Sequence, residues 1–238
     1  MAYYKTFAKT CLLIALALAG SSCQSGEMSV RRAKGVTVSP APDTLALHNV
    51  KKIVVLDFHE HQAEITEGDP NICPVTGFHF ISGFAPAGSG VMVADQLRLA
   101  LVDKGFDVIH RKILVEALKD MPELKHNQYT AALGADIGRR MGADVVMMGS
   151  VMRFEELVGT KIAAEKPAAV GLSLAVINPA DGKILWKAKF EKVQHALLLD
   201  VLDYETFFAG GMVWQRASQL SHVGITNLLQ RLPIRSAR

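Results

Sequence analysis

Two short uninterrupted apolar runs constrain the fold of this chain more than any other feature. The first spans Lys51, Lys52, Ile53, Val54, Val55, Leu56, Asp57 and Phe58, and the second Asp144 to Val151 with Val145, Val146, Met147 and Met148 at its heart. Runs without polar alternation suit strands covered on both faces, so helices must pack on either side of the sheet that holds them. The helices can be read nearby. Val91, Ala94, Leu97 and Leu101 recur at three- and four-residue spacing, with Ser89 placed to cap the start and Gly105 the end. A short strand over 106–109 follows, then a helix carrying Ile113, Leu114, Ala117, Leu118 and Met121 that Pro122 stops. A third helix holds Leu133, Ile137 and Met141 and closes at Gly142.

Beyond the second run, Leu172, Leu174 and Val176 alternate with Ser173 and Ala175, and Ile184, Trp186, Ala188 and Phe190 alternate with Lys187 and Lys189. Asn178, Pro179, Asp181 and Gly182 between them carry the chemistry of a hairpin turn. A last helix falls within 204–232, its start displaced toward Met212 by Gly210 and Gly211. The order strand, helix, strand, helix, helix, strand, strand, strand, helix predicts an α/β fold: one domain over 51–232 with a mixed β-sheet packed by helices, and a tail over 233–238.

The first 22 residues are a different kind of segment. Lys5 and Lys9 precede an apolar stretch over 11–19, then Gly20, Ser21, Ser22 and Cys23. This is the pattern of a secretory signal peptide, and it is shorter than the roughly 20 apolar residues of a permanent spanning helix. Ala17, Leu18 and Ala19 would suit an ordinary signal peptidase. The small residues ending at Cys23 resemble a lipobox instead, although Gly20 stands where a branched aliphatic is usual, and the reading adopted is lipidation of Cys23 as the only covalent group, with no cofactor. Residues 23–50 then form a lipid-anchored flexible tether, rich in Ser, Pro and Gly. Cys11 leaves with the signal and Cys23 carries lipid, so Cys73 alone cannot make a disulfide framework. The formal charge of +3 becomes +1 without Lys5 and Lys9, which gives no electrostatic case for nucleic acid.

The ordered stations Lys52 to Phe58, Val102 to Arg111 with Gly105 and Ile109, Ile137 and Gly138, Met141 to Asp144, Gly149 to Val151, and Val176 to Trp186 with Asp181 and Gly182 resemble the curli-secretion channel lipoproteins, the CsgG-like family. The resemblance implies an anticodon-binding-domain-like fold without catalytic activity that self-associates into rings within envelope secretion, appendage or motor assemblies. Its partners would be copies of itself and other proteins of such machines. Gln24 after Cys23 implies sorting to the periplasmic face of the outer membrane. Channel members cross that membrane on inserted hairpins, yet residues 155–167 and 193–203 are too short for two spanning strands of about 9 to 11 residues each. The chain therefore reads as a smaller relative without its own pore. The alternative is an LpoB-like lipoprotein that activates a peptidoglycan synthase.

Candidate chemistry concentrates after the first strand. His59 and His61 would share a face if extended, and with His79 and Cys73 they could be imagined around a metal, but the spacing matches no zinc pattern and no metal site is assigned. Cys73 lacks a partner base by sequence and reads as an inert buried thiol; Gly88, Ser89 and Gly90 read as a helix cap rather than a phosphate loop; Asp57 has no evident partner acid. No catalytic residue is assigned. The loop over 59–88 is itself unusual, since structureless connections beyond about 12 to 15 residues are uncommon in compact domains. Its Phe78, Phe80, Ile81 and Phe84 either complete a local core or form a contact surface for an oligomer or partner, at the subunit contact or the inner rim of a ring.

Overall fold

A computed structural model of the chain describes residues 35–39, 47, 49–62, 71–81, 83–119, 129–160, 164–194 and 214–234. Cys23, the signal peptide, residues 204–213, Pro122 and the tail from 235 lie outside the described residues, and the last helix begins at Ala217 rather than near Met212. Residues 33–238 form one unit. Its elements are β1 (Val36–Ser39), β2 (Lys52–Val55), β3 (His59–Glu60), β4 (Asn71–Ile72), β5 (His79–Phe80), α1 (Ser89–Asp103), β6 (Asp107–Val108), α2 (Arg111–Leu118), α3 (Ala131–Met141), β7 (Val145–Glu155), β8 (Val158–Gly159), β9 (Ala164–Lys166), β10 (Ala169–Ile177), β11 (Ile184–Val193) and α4 (Ala217–Arg231). The class is mixed α/β, as predicted.

One seven-stranded sheet runs in the order β1, β11, β10, β7, β2, β6, with β3 also beside β7. β7 with β2, β2 with β6 and β3 with β7 are parallel pairs; β1, β11, β10 and β7 pair antiparallel. Both apolar runs form interior strands, β7 and β2, as their lack of alternation demands. Val145, Met147 and Val151 of β7 face a core shared with Val93, Ala94, Leu97 and Leu101 of α1 and Leu220, Ile225 and Leu228 of α4. Val146, Met148 and Met152 face a second core with Leu133, Ala135 and Ile137 of α3 and Leu114 of α2. A register shift opposite Gly171 and Leu172 inserts one extra residue into β7. Such a bulge resets the alternation, which turns Phe154 into the first core and sends Arg153 to the second face, where a Cβ on Gly83 would overlap it.

The predicted caps hold in part. Gly142 closes α3 in the left-handed region at φ 60° as predicted, and Thr130 Oγ1, which sequence reasoning did not single out, caps its start by accepting from Leu133 N at 3.3 Å. The hairpin turn is confirmed: Asn178 Oδ1 accepts from Ala180 N at 3.0 Å, and Gly182 sits at φ 71°. Ser89 is not the cap of α1. That position belongs to Gly88 at φ 88°, and the Ser89 hydroxyl has no hydrogen bond. The tether reading also needs correction from residue 35 onward, because Val36–Ser39 pairs with the free edge of β11, and Leu47 and Val50 are buried. Strand pairing supplies backbone partners that the composition of this segment does not advertise. Of the apolar positions predicted to bury α2, Leu114 does so while Ile113 is 59% exposed.

Candidate functional site

The exit of β2 assembles the densest polar cluster. Leu56 N still donates to Met147 O at 2.9 Å, and the chain rejoins β7 at β3, where His61 N donates to Val151 O at 2.9 Å. Between them Phe58 is buried, wedged where two neighbours lack side chains: its ring covers Gly149, and a Cβ on Gly90 would overlap its carbonyl oxygen. Asp57, held at this point, accepts from Arg98 Nη2 of α1 at 2.7 Å and from Arg111 Nη2 of α2 at 2.7 Å. Arg98 also donates to Val55 O at 2.7 Å and to Asp95 Oδ1 at 2.5 Å. Tyr129 Oη donates to Asp57 O at 2.7 Å and accepts from Gly149 N at 3.4 Å. Burial works to raise the Asp57 pKa, but the hydrogen bonds from Arg111 and Arg98 outweigh it and hold the carboxyl below its ordinary 3.8. Asp57 is therefore an ionised hub that ties β2 to α1 and α2, with its charge matched.

His59 and His61 do share a side, as their spacing predicted. With Asp57, Phe58, Glu60, Gln62 and Tyr129 they line an open cleft of about 510 Å³. His59 stacks on Tyr129, ring centroids 5.8 Å apart at 27°. Burial lowers the pKa of both imidazoles below 6.5; the Glu60 charge partly counteracts this for His59, and His59 itself lowers His61 further. Glu60 turns away to α1, where its Oε1 accepts from Gly90 N at 2.8 Å. A carboxylate here satisfies an orphan amide and complements the positive end of the helix, the task sequence reasoning gave to Ser89. Among the described residues, no three of His, Cys, Asp and Glu are placed to hold a metal ion.

The loop over 59–88 is not structureless. β4 and β5 form a small hairpin laid over the outer face of β11, where every second side chain grips it. Lys187 Nζ donates to Thr76 O and Lys189 Nζ to His79 O, each at 2.7 Å, and Glu191 Oε1 accepts from Ile81 N at 2.6 Å. The four candidate contact residues part company. Phe80 is buried in the second core, with Lys189 Nζ 5.0 Å from its ring centroid. Phe78 is half-buried beneath Lys187 Nζ at 5.4 Å, while Ile81 is 61% and Phe84 49% exposed. Cys73 is buried; its Sγ lies 3.1 Å from Ser173 Oγ and donates to Ser150 Oγ at 3.4 Å. His79, by contrast, is exposed on β5.

No protein-family model matches the sequence, and no curated protein does. Solved structures do. The chain is similar to the PelC dodecamer from Paraburkholderia phytofirmans at 15% identity and TM-score 0.46, over 84% of this chain and 98% of that one. It is also similar to lipoprotein GNA1162 from Neisseria meningitidis, at 14% identity and TM-score 0.40 over 67% of this chain and 96% of that one. A third similarity is to the LpoB C-terminal domain from Salmonella enterica, at 17% identity and TM-score 0.38 over 61% of this chain and 85% of that one.

Sequence reasoning missed Arg98, Arg111 and Tyr129 as partners of Asp57. Arg98 left one signal, a charge inside the apolar stripe of α1 between Leu97 and Leu101. A cation there must find a buried anion.

Proposed function

We propose that this chain is a non-enzymatic lipoprotein, held through an acylated Cys23 at the periplasmic face of the outer membrane. It works as a homo-oligomer, a ring of the CsgG-like kind, within an envelope secretion, appendage or motor assembly. One contrast carries the reading. The groups with most chemical potential are bound into the fold: Asp57 by two arginines, Glu60 by the start of α1, Cys73 beneath the hairpin. Large apolar side chains, by contrast, stand in solvent. On α1, Leu99 is 67% and Val102 53% exposed; on α2, Ile113 is 59% and Val115 40% exposed, and Ile113 lines a groove of about 310 Å³ with Val108, Ile109 and Met141 beside β6. Large apolar side chains left exposed on two neighbouring helices suit contacts with other proteins. β6 and β1 are the two outer strands of the sheet, and head-to-tail association joins unlike surfaces of this sort into rings when the rotation closes. The strand at Val36–Ser39 also shortens the tether, which disfavours an activator that must reach inner-membrane enzymes.

Light scattering of the exported Cys23→Ala chain tests the assembly reading. An oligomer is expected, and Leu99→Ser with Ile113→Ser should reduce it to monomer without lowering the melting temperature. A chain that stays monomeric at all concentrations would remove the self-association.

A further inference from the structure

A second group of exposed apolar side chains, Ile72, Ile81, Phe84 and Val158, collects at the other end of the sheet. Hydrogen bonds fix that end. Ile81 N donates to the Glu191 carboxylate at 2.6 Å, and Phe154 N donates to Phe84 O at 2.8 Å. Glu191, Gly171 and Arg153 lie side by side across β11, β10 and β7, and β8 with Val158 follows directly where β7 ends at Glu155. In β4, Ile72 pairs with exposed His79, so it faces away from the sheet while Phe80 faces in.

The chain enters its folded body at this same end. Glu191 N donates to Gly35 O at 2.9 Å, and a Cβ on Gly35 would come within 2.6 Å of Glu191 O. One residue of β11 thus touches the incoming segment through its backbone and the apolar loop through its carboxylate. Cys23 precedes Gly35 by 12 residues, and under the tether reading a coil of that length would span about 20 Å. The patch around β6 lies farther off, since Val145 and Arg153 are separated along β7 by about 25 Å at roughly 3.3 Å per residue.

We propose that Ile72, Ile81 and Phe84 seat this end of the protein on the lipid surface, a reading that rests on acylation of Cys23. Three side chains would be a weak membrane anchor alone, but a short tether holds them at high effective concentration beside the bilayer. Of the acids at this end, Glu155 is paired with Arg153 and Lys166 and Glu191 with Lys189, which leaves Glu165 on β9 as an exposed carboxylate facing the headgroups. The segment over 59–88 thus orients the body, leaving the β6 patch turned away from the membrane and toward protein.

The test uses the full acylated protein in phosphatidylethanolamine and phosphatidylglycerol vesicles whose acyl chains carry bromine about 5 to 10 Å below the headgroups, the depth an interfacial side chain reaches. Emission added by Phe84→Trp, over the native Trp186 and Trp214, is expected to be largely quenched, and emission added by Leu99→Trp to be unchanged. Phe84→Trp emission that is blue-shifted but unquenched would show a protein neighbour on this face and overturn the proposal. Equal, solvent-like emission at both positions in vesicles that carry the protein would overturn it too. Vesicle flotation reads the anchor separately: a chain that does not float overturns acylation and the docking built upon it.

Discussion

Gly149→Ala should destabilise the protein by about 3 kcal/mol. The added Cβ would overlap Ser173 O and approach Phe58 Cε2 to 2.5 Å. Neither neighbour can yield cheaply. Ser173 O belongs to β10, paired on both sides in the middle of the sheet, and Phe58 is buried and backed by Gly90. Overpacking in a rigid core costs about 1 to 3 kcal/mol and more when backbone must move. A loss of about 3 kcal/mol corresponds to a fall in melting temperature of roughly 10 °C for a chain of this size. Thermal unfolding checks it, and a fall of a degree or two would mean that Phe58 and β10 are not held as described.

Arg98→Met should be the next most damaging change. Methionine retains much of the aliphatic stem but removes the guanidinium that Asp57, Asp95 and Val55 O share. Breaking a buried ion pair from one side costs about 3 to 5 kcal/mol; Asp57 is partly exposed and keeps Arg111, so about 2 kcal/mol is expected here. The pH dependence separates the charge from the packing. A carboxyl whose folded pKa is depressed stabilises the protein above its unfolded value of 3.8 and loses that contribution as pH falls through the folded value. The gap between wild type and variant in urea unfolding should therefore be wide at pH 7 and narrow well below pH 3.8. An unchanged gap would assign the loss to packing alone.

Sequence pattern was enough where burial alone decides. The runs over 53–56 and 145–148 became interior strands, and Ala94, Leu97 and Leu101 of the α1 stripe are buried, while Val93 rather than the half-exposed Val91 completes it. β1 escaped because a strand of four residues with two valines has too little period to stand out among Ser and Pro. Its place is decided by the edge of β11, some 150 residues away. The hub was half legible: Asp57 stands out at a strand end, but its guanidinium partners lie 41 and 54 residues on. Alternation also misled. Lys187 and Lys189 alternate with the apolar row as solvent-facing residues would, yet with Glu191 they carry the β4–β5 hairpin, so the loop's aromatics could not be sorted by composition. Phe80 went inward and Phe84 outward because of that support.

The intact mass of the protein extracted from membranes bears most directly on the whole account, because both the proposed location and the orientation at the lipid surface depend on one cysteine. The account predicts a mature chain that begins at Cys23 and is heavier than its sequence by the attached lipid. An unmodified chain that begins at Gly20 would contradict it.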